Sequence, residues 1–276
     1  MNDNAGFLAV DVGSSRVKIG WFPSVGDCVA EKQALSLPIA ASPLRQPDQT
    51  LAVAHQEQAA LWATVGAWLE QHCPHAPPGY LASVHPPAAK VVQELFGNRL
   101  REIMPADVPI ETRVDQPHRV GMDRLLSATA ANRIRPPDEA AIVVDLGTAC
   151  TVDLIGADGV FEGGAILPGL DLSASSLHVG TASLPKLTIE DLGSSPPTVG
   201  KSTQAAIASG LYWGIVGAVR ELVGRISSDL PDSPQVIVTG GGGELLVEHL
   251  AAEAKPVRCL PNLILSGIAA VVEDGS

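Results

Sequence analysis

Phe7-Leu8-Ala9-Val10-Asp11-Val12-Gly13-Ser14-Ser15 and, from Ala141, Ala141-Ile142-Val143-Val144-Asp145-Leu146-Gly147-Thr148 are two versions of one pattern. Each starts as an apolar run, the reading of a buried strand, and is broken by an acid, a glycine and a hydroxyl residue. Val17-Lys18-Ile19-Gly20-Trp21 follows the first break and Thr151-Val152-Asp153-Leu154-Ile155 the second. Both alternate, so each copy predicts a β-hairpin with a tight turn, the first over Gly6 to Phe22. A constant offset of 134 residues pairs Asp11 with Asp145, Gly13 with Gly147, Ser14 with Thr148 and Val17 with Thr151. Such self-similarity predicts two related half-molecules.

Outward from the two hairpins, strands and helices alternate. Leu61, Val65, Trp68 and Leu69 recur at helical spacing. Tyr80 to Val84 reads as a strand and Ala88 to Leu95 as a helix. A helix over Gly121 to Ile134 stops at Arg135-Pro136-Pro137, where proline cannot continue it. The domain boundary is placed there, giving domains 1–135 and 136–276. Beyond the second hairpin, Thr203 to Ile226 reads as a long helix, Gln235 to Val238 as a strand, Glu244 to Ala252 as a helix and Leu263 to Val272 as a last helix. The class is α/β.

Composition narrows the function. With 276 residues, 46% hydrophobic and 17% charged, the chain has ordinary globular content and length for two small domains. A net charge of −12 argues against nucleic acid, whose phosphates call for a clustered Lys/Arg surface. No leader pattern stands near the N-terminus, and no apolar run approaches the roughly 20 residues that span a bilayer, so a soluble cytoplasmic protein is expected. Cys28, Cys73, Cys150 and Cys259 form no CxxC pair, which points to reduced structural thiols. His72, Cys73 and His75 lack a second ligand pair, so metal binding there is not expected.

The acid-glycine-hydroxyl break suits phosphate chemistry. Glycine lets backbone amides approach an anion, Ser or Thr donates a hydrogen bond, and the carboxylate holds a cation or its water. A single Asp-x-Gly also occurs in ordinary turns; two copies at strand ends are harder to dismiss. Gly240-Gly241-Gly242-Gly243, after Val236 to Thr239, reads either as a nucleotide loop or as a flexible connection. Gly200-Lys201-Ser202 imitates a P-loop ending, but Ser195 stands where its first glycine belongs.

The doubled break resembles the two phosphate loops of the actin, hexokinase and heat-shock ATPase superfamily, which implies duplicated ribonuclease-H-like domains with a nucleotide cleft between them. Within it, several motifs resemble those of type III pantothenate kinases. They are Gly121-Met122-Asp123-Arg124 for Gly-x-Asp-Arg, Gly163-Gly164-Ala165-Ile166-Leu167-Pro168-Gly169, Thr181-Ala182-Ser183-Leu184-Pro185, Gly200-Lys201-Ser202-Thr203 and Ser83-Val84-His85-Pro86. The resemblance spans nearly the whole chain.

It implies ATP-dependent phosphorylation of pantothenate, the first committed step towards coenzyme A, by a homodimer using magnesium and a monovalent cation such as potassium or ammonium. Asp123 resembles the general base. Asp11 is expected to hold magnesium through water, and Gly13, Ser14, Ser15, Arg16 and Lys18 to face the ATP phosphates. Asp145 resembles the monovalent-cation ligand, with Thr148 on the nucleotide; Gly121, Met122, Arg124 and Thr181 match pantothenate-contacting positions. The plainer readings are a helix-start acid for Asp123 and solvent-facing hairpin residues for Arg16 and Lys18. Gly163, Gly164, Pro168 and Gly169 are expected to shape a turn against the substrate site. The sequence departs from the family at Ser14-Ser15, where Asn-Thr is usual, and at Val114, where a Tyr is usual. The alternatives are an actin-like kinase for another small hydroxylated metabolite and a non-catalytic regulatory relative.

Overall fold

The computed structural model describes residues 6–24, 44–55, 58–73, 77–192, 195–251 and 257–275. Cys28 and His75 lie outside the described residues. The chain divides into two compact units, one of Met1–Pro137 with Asn262–Ser276, the other of Asp138–Pro261.

In the first unit, strands β1 (Phe7–Val12), β2 (Arg16–Phe22), β3 (Gln49–Ala54), β4 (Gly79–Ser83) and β5 (Leu100–Glu102) form one sheet of order β3-β2-β1-β4-β5. β1 runs antiparallel to β2, with Asp11 opposite Lys18, and parallel to β4, with Asp11 beside Ala82. Side chains alternate across a sheet, so each face has its own partners. Leu8, Val10, Val12, Val17 and Ile19 meet Val65 of α1 (Gln58–His72) and Ala89, Val92 and Phe96 of α2 (Pro86–Phe96). On the opposite face Phe7 stacks on Phe22 with ring centroids 5.1 Å apart, and Tyr80 stands edge-on to Phe7. α8 (Leu263–Asp274) packs against β1 and β2 there, close to Gly20, where a side chain would meet Leu265. α3 (Met122–Ile134) packs on α8, and a Cβ on Gly267 would come within 2.2 Å of the Leu126 carbonyl oxygen. Only glycine permits that helix approach.

The sequence-drawn second domain therefore loses its last helix. α8 is apolar along most of its length, with Leu263 to Val271 buried, and its burial is completed in the first unit.

The second unit repeats the plan with β6 (Ala141–Leu146), β7 (Ala149–Ile155), β8 (Phe161–Pro168), β9 (Gln235–Thr239) and β10 (Arg258–Cys259), in the order β10-β9-β6-β7-β8. Ile142, Val144, Leu146, Cys150, Val152, Val236 and Val238 share a core with α6 (Thr203–Ser228) and with Leu246 and Leu250 of α7 (Glu244–Leu250). α4 (Leu170–Val179) follows β8 and the short α5 (Ile189–Leu192) precedes α6. Ser202 caps α6 by accepting from the Ala205 amide at 3.1 Å.

Three expectations need correction. The offset of 134 slips by one past the turns, because Val12 pairs with Val17 but Leu146 pairs with Cys150. The second hairpin has one turn residue fewer, so Cys150, not Thr151, corresponds to Val17. Gly163, Gly164 and Pro168 form no turn; they lie in β8, and Gly164 is there because a Cβ would strike the Val152 carbonyl at 2.1 Å. Finally, α6 has the length and composition of a bilayer-crossing helix. It carries Arg220, Glu221 and Arg225, and its apolar stripe from Ile207 to Val223 is taken up in the core of the second unit.

Candidate active site

In the first unit the candidate residues gather at the carboxyl ends of β1 and β4. The Gly13 amide donates to the Arg16 carbonyl at 3.0 Å, closing the turn, and leaves Ser14, Ser15 and Arg16 exposed. Asp11 is 5% exposed, on the sheet face of α3 and α8, with half-buried Lys18 across the ladder on the same face. Cross-strand neighbours of opposite charge support each other.

Asp123 reaches this edge from the first turn of α3. Gly121 precedes the helix in an extended conformation, and a Cβ there would stand 2.5 Å from Asp123 Oδ1 and 3.9 Å from Val84 Cγ1. Val84 continues β4, and its amide donates to the Val12 carbonyl at 3.0 Å. Asp123 and Asp11 thus belong to one edge and one face of the same sheet. The Arg124 amide donates to Asp123 Oδ1 at 2.9 Å. Burial pushes the Asp123 carboxyl above the ordinary carboxylate range, against the opposing pull of that amide and the Arg124 charge. A raised carboxyl is a better proton acceptor than a solvated one. Met122 is buried at 8% exposure, so what it offers a ligand is backbone.

In the second unit the parallel arrangement lies at the carboxyl ends of β6 and β9. Gly147 donates to the Ala149 carbonyl at 3.0 Å, and Gly169, the residue before α4, donates to Thr148 O at 3.0 Å. Gly169 fits only without a Cβ, which would sit 2.2 Å from Gly147 O. Gly240 has φ +88, in the region open to glycine, and the position of its missing Cβ is 2.4 Å from Asp145 Oδ1 and 2.5 Å from Leu146 O. Gly242 donates to Leu146 O at 3.1 Å. Gly240, Gly242 and Gly243 therefore form a turn fitted closely around the Asp145 loop and the end of β9. Thr181 lies past α4, exposed, its hydroxyl donating to Leu177 O at 2.7 Å.

The first unit thus holds Asp11, Gly13, Ser14, Ser15, Arg16, Lys18, Gly121, Met122, Asp123 and Arg124, and the second Asp145, Thr148 and Thr181. The sequence reading passed over the fit of Gly240 on Asp145, which has no periodic signal, and over His55, a residue after an edge strand that was itself not anticipated. Among the described residues no cluster of three or more His, Cys, Asp or Glu is placed to hold a metal by itself.

Two mixed sheets, each with an acid-glycine-hydroxyl hairpin at its edge, define an actin-like ATPase fold. An archaeal actin homolog, Ta0583, superposes with a TM-score of 0.50 over 98% of this chain and 99% of that one at 13% identity. A Campylobacter jejuni protein assigned to the Baf family of transcriptional activators gives 0.58 over 97% and 98% at 16% identity. The chain belongs to the type III pantothenate kinase family, whose model matches residues 7–225. The type III pantothenate kinase of Dehalococcoides mccartyi is 32% identical over 250 residues, 87% of this chain and 88% of that protein. That of Persephonella marina is 40% identical over 143 residues, and there the match spans about half of each, 52% and 54%. Membership makes the chain a phosphotransferase by family, one of kinases that act on pantothenate on the way to coenzyme A.

Proposed function

We propose that this chain transfers the γ-phosphoryl group of ATP to the hydroxyl of pantothenate, with Asp123 as general base. What carries the reading is the placement of a buried, upshifted carboxyl on the same edge and face of the sheet as Asp11 and the first phosphate loop. Asp123 accepts the hydroxyl proton as the oxygen forms its bond to the γ-phosphorus; the bond from that phosphorus to the bridging oxygen breaks, and ADP leaves. The hydroxyls of Ser14 and Ser15 and the Gly13 turn face the phosphates, with Arg16 and Lys18 on the same strand. In the first unit Gly121, the Met122 backbone and Arg124 hold pantothenate, Arg124 by donating to the substrate's carboxylate.

The donor chemistry fits the ions. One carboxylate at a strand end, Asp11, suits magnesium, which keeps water and takes its other ligands from substrate phosphates. Bound magnesium supplies charge neutralisation on those phosphates. Asp145 Oδ1 and Leu146 O, side by side against Gly240, make an oxygen-only pair suited to a potassium or ammonium ion, with Thr148 on the nucleotide. A homodimer is supported by the exposed apolar side chains of Ile166 on edge strand β8 and Leu172 and Val179 on α4.

The test is ADP release by purified protein with pantothenate as acceptor and magnesium present, comparing potassium or ammonium with sodium. Pantothenate-dependent, potassium-stimulated turnover is expected. ADP formed only with other acceptors would remove pantothenate from the reading while keeping the kinase.

A further inference from the structure

His55 follows β3, and His85 follows β4; in the sheet order those strands are separated by β2 and β1. Three strand spacings put the strand ends about 14 Å apart. The two imidazoles nevertheless meet, with ring centroids 4.8 Å apart. The turn that joins β1 to β2 leaves the same edge of the sheet between the ends of β3 and β4, so the ring contact bridges the two strands that flank that hairpin.

Each histidine is also tied to the backbone around it. The His55 amide donates to the Ser15 carbonyl at 3.1 Å. His85 Nδ1 accepts from the Ala88 amide at 3.2 Å, which caps α2 and leaves its proton on Nε2, and its own amide donates to Ser83 Oγ at 3.0 Å. A fixed Ser15 carbonyl matters because the peptide is planar. Turning that oxygen towards the end of β3 keeps its negative end from the place an anion would take. Among the described residues His55 Nε2 is buried with no hydrogen-bond partner, an unsatisfied group whose burial carries a cost. Burial, and then the nearness of His85, push the His55 imidazole below its ordinary value, so the ring stays neutral against its neighbour.

We infer that His55 is a positioning residue for the first phosphate loop, acting with His85 as an imidazole brace that holds Ser15 for nucleotide binding. The inference rests on the reading of residues 13–15 as a phosphate loop and adds a residue that no resemblance supplied. His55→Ala removes the ring contact and keeps the main chain. It should weaken ATP binding, measured by calorimetry without acceptor, about tenfold, with the KM for pantothenate unchanged and the thermal midpoint within a few degrees. His55→Phe keeps a ring against His85 and should restore ATP affinity to within about twofold. Unchanged ATP affinity in His55→Ala overturns the brace, and so does a Phe variant as weak as the Ala variant. Wild-type protein that binds no ATP overturns the phosphate-loop reading and the brace with it.

Discussion

Asp123 folds back over Gly121, its Oδ1 standing 2.5 Å from where a Gly121 Cβ would be. The glycine therefore gives the carboxylate its place as much as it gives the chain its bend into α3. Gly121→Ala should push the carboxylate aside without stopping the protein from folding. On the proposed mechanism, a misplacement of about 1 Å at the base costs about 10²-fold in rate. We expect kcat to fall by that order while ATP affinity holds, read by steady-state kinetics and calorimetry.

Asp123→Asn should lower kcat by about 10² to 10⁴-fold, the range for a lost general base, with ATP binding retained. Turnover at the wild-type rate would remove Asp123 from the mechanism. The same variant has a stability consequence. A carboxyl raised by burial favours folding only while protonated, and that contribution is lost as pH rises through the raised value. The Asn variant should therefore melt no lower than wild type at pH 7, and any gain should shrink as the pH is brought down through the carboxyl's titration. Melting curves across pH decide it.

On the proposed mechanism the same shift sets the acid limb of the pH-rate profile. Asp123 must be ionised to take a proton, so kcat/KM should fall on acidification with a midpoint above the roughly 3.9 of a solvated aspartate. In Asp123→Asn that limb should vanish from the residual activity.

Gly240→Ala confronts both a positive φ and the Asp145 carboxylate 2.4 Å away. It should cost at least about 1 kcal/mol of stability. It should also blunt potassium stimulation while Gly241→Ala does so less, a comparison made by titrating the salt.

Burial raises the Cys73 thiol to about 11 and the Cys150 thiol to about 12. Thiolate is the reactive form, so at pH 8 both should resist alkylation in the folded protein and react promptly in denaturant. Peptide mapping after timed iodoacetamide exposure measures this.

The strands and helices with strong patterns were readable in advance: the apolar runs of β1 and β6, the helix ended by Arg135-Pro136-Pro137, and α6 from Thr203. β3 and β5 were not, because an edge strand of six residues with exposed alternate positions, and one of three, carry little apolar signal. β8 was hidden by its glycines, of which Gly164 permits the close approach to β7 and Gly163 takes a positive φ. At the candidate site the acid-glycine-hydroxyl breaks at the strand ends were legible from residue types and spacing. The residues at the start of α3 were named through the family resemblance, since type and position alone read Asp123 as a helix-start acid. The contacts of Gly240 with Asp145 and of His55 with His85 join segments far apart in sequence, and nothing local encodes them.

The return of α8 to the first unit bears on the order in which the protein is made. β1 to α3 leave the ribosome early, but the helix that covers β1 and β2 and seats α3 is translated only after the whole of the second unit. At cellular elongation rates that gap is on the order of ten seconds. During it the apolar faces around Phe7, Phe22 and Leu126 wait without their final cover, while Asp138–Pro261 forms a continuous stretch able to close its own core. The later-made unit is thus the one equipped to mature first, and the unit bearing Asp123 is the one exposed to chaperones and proteases in the nascent chain.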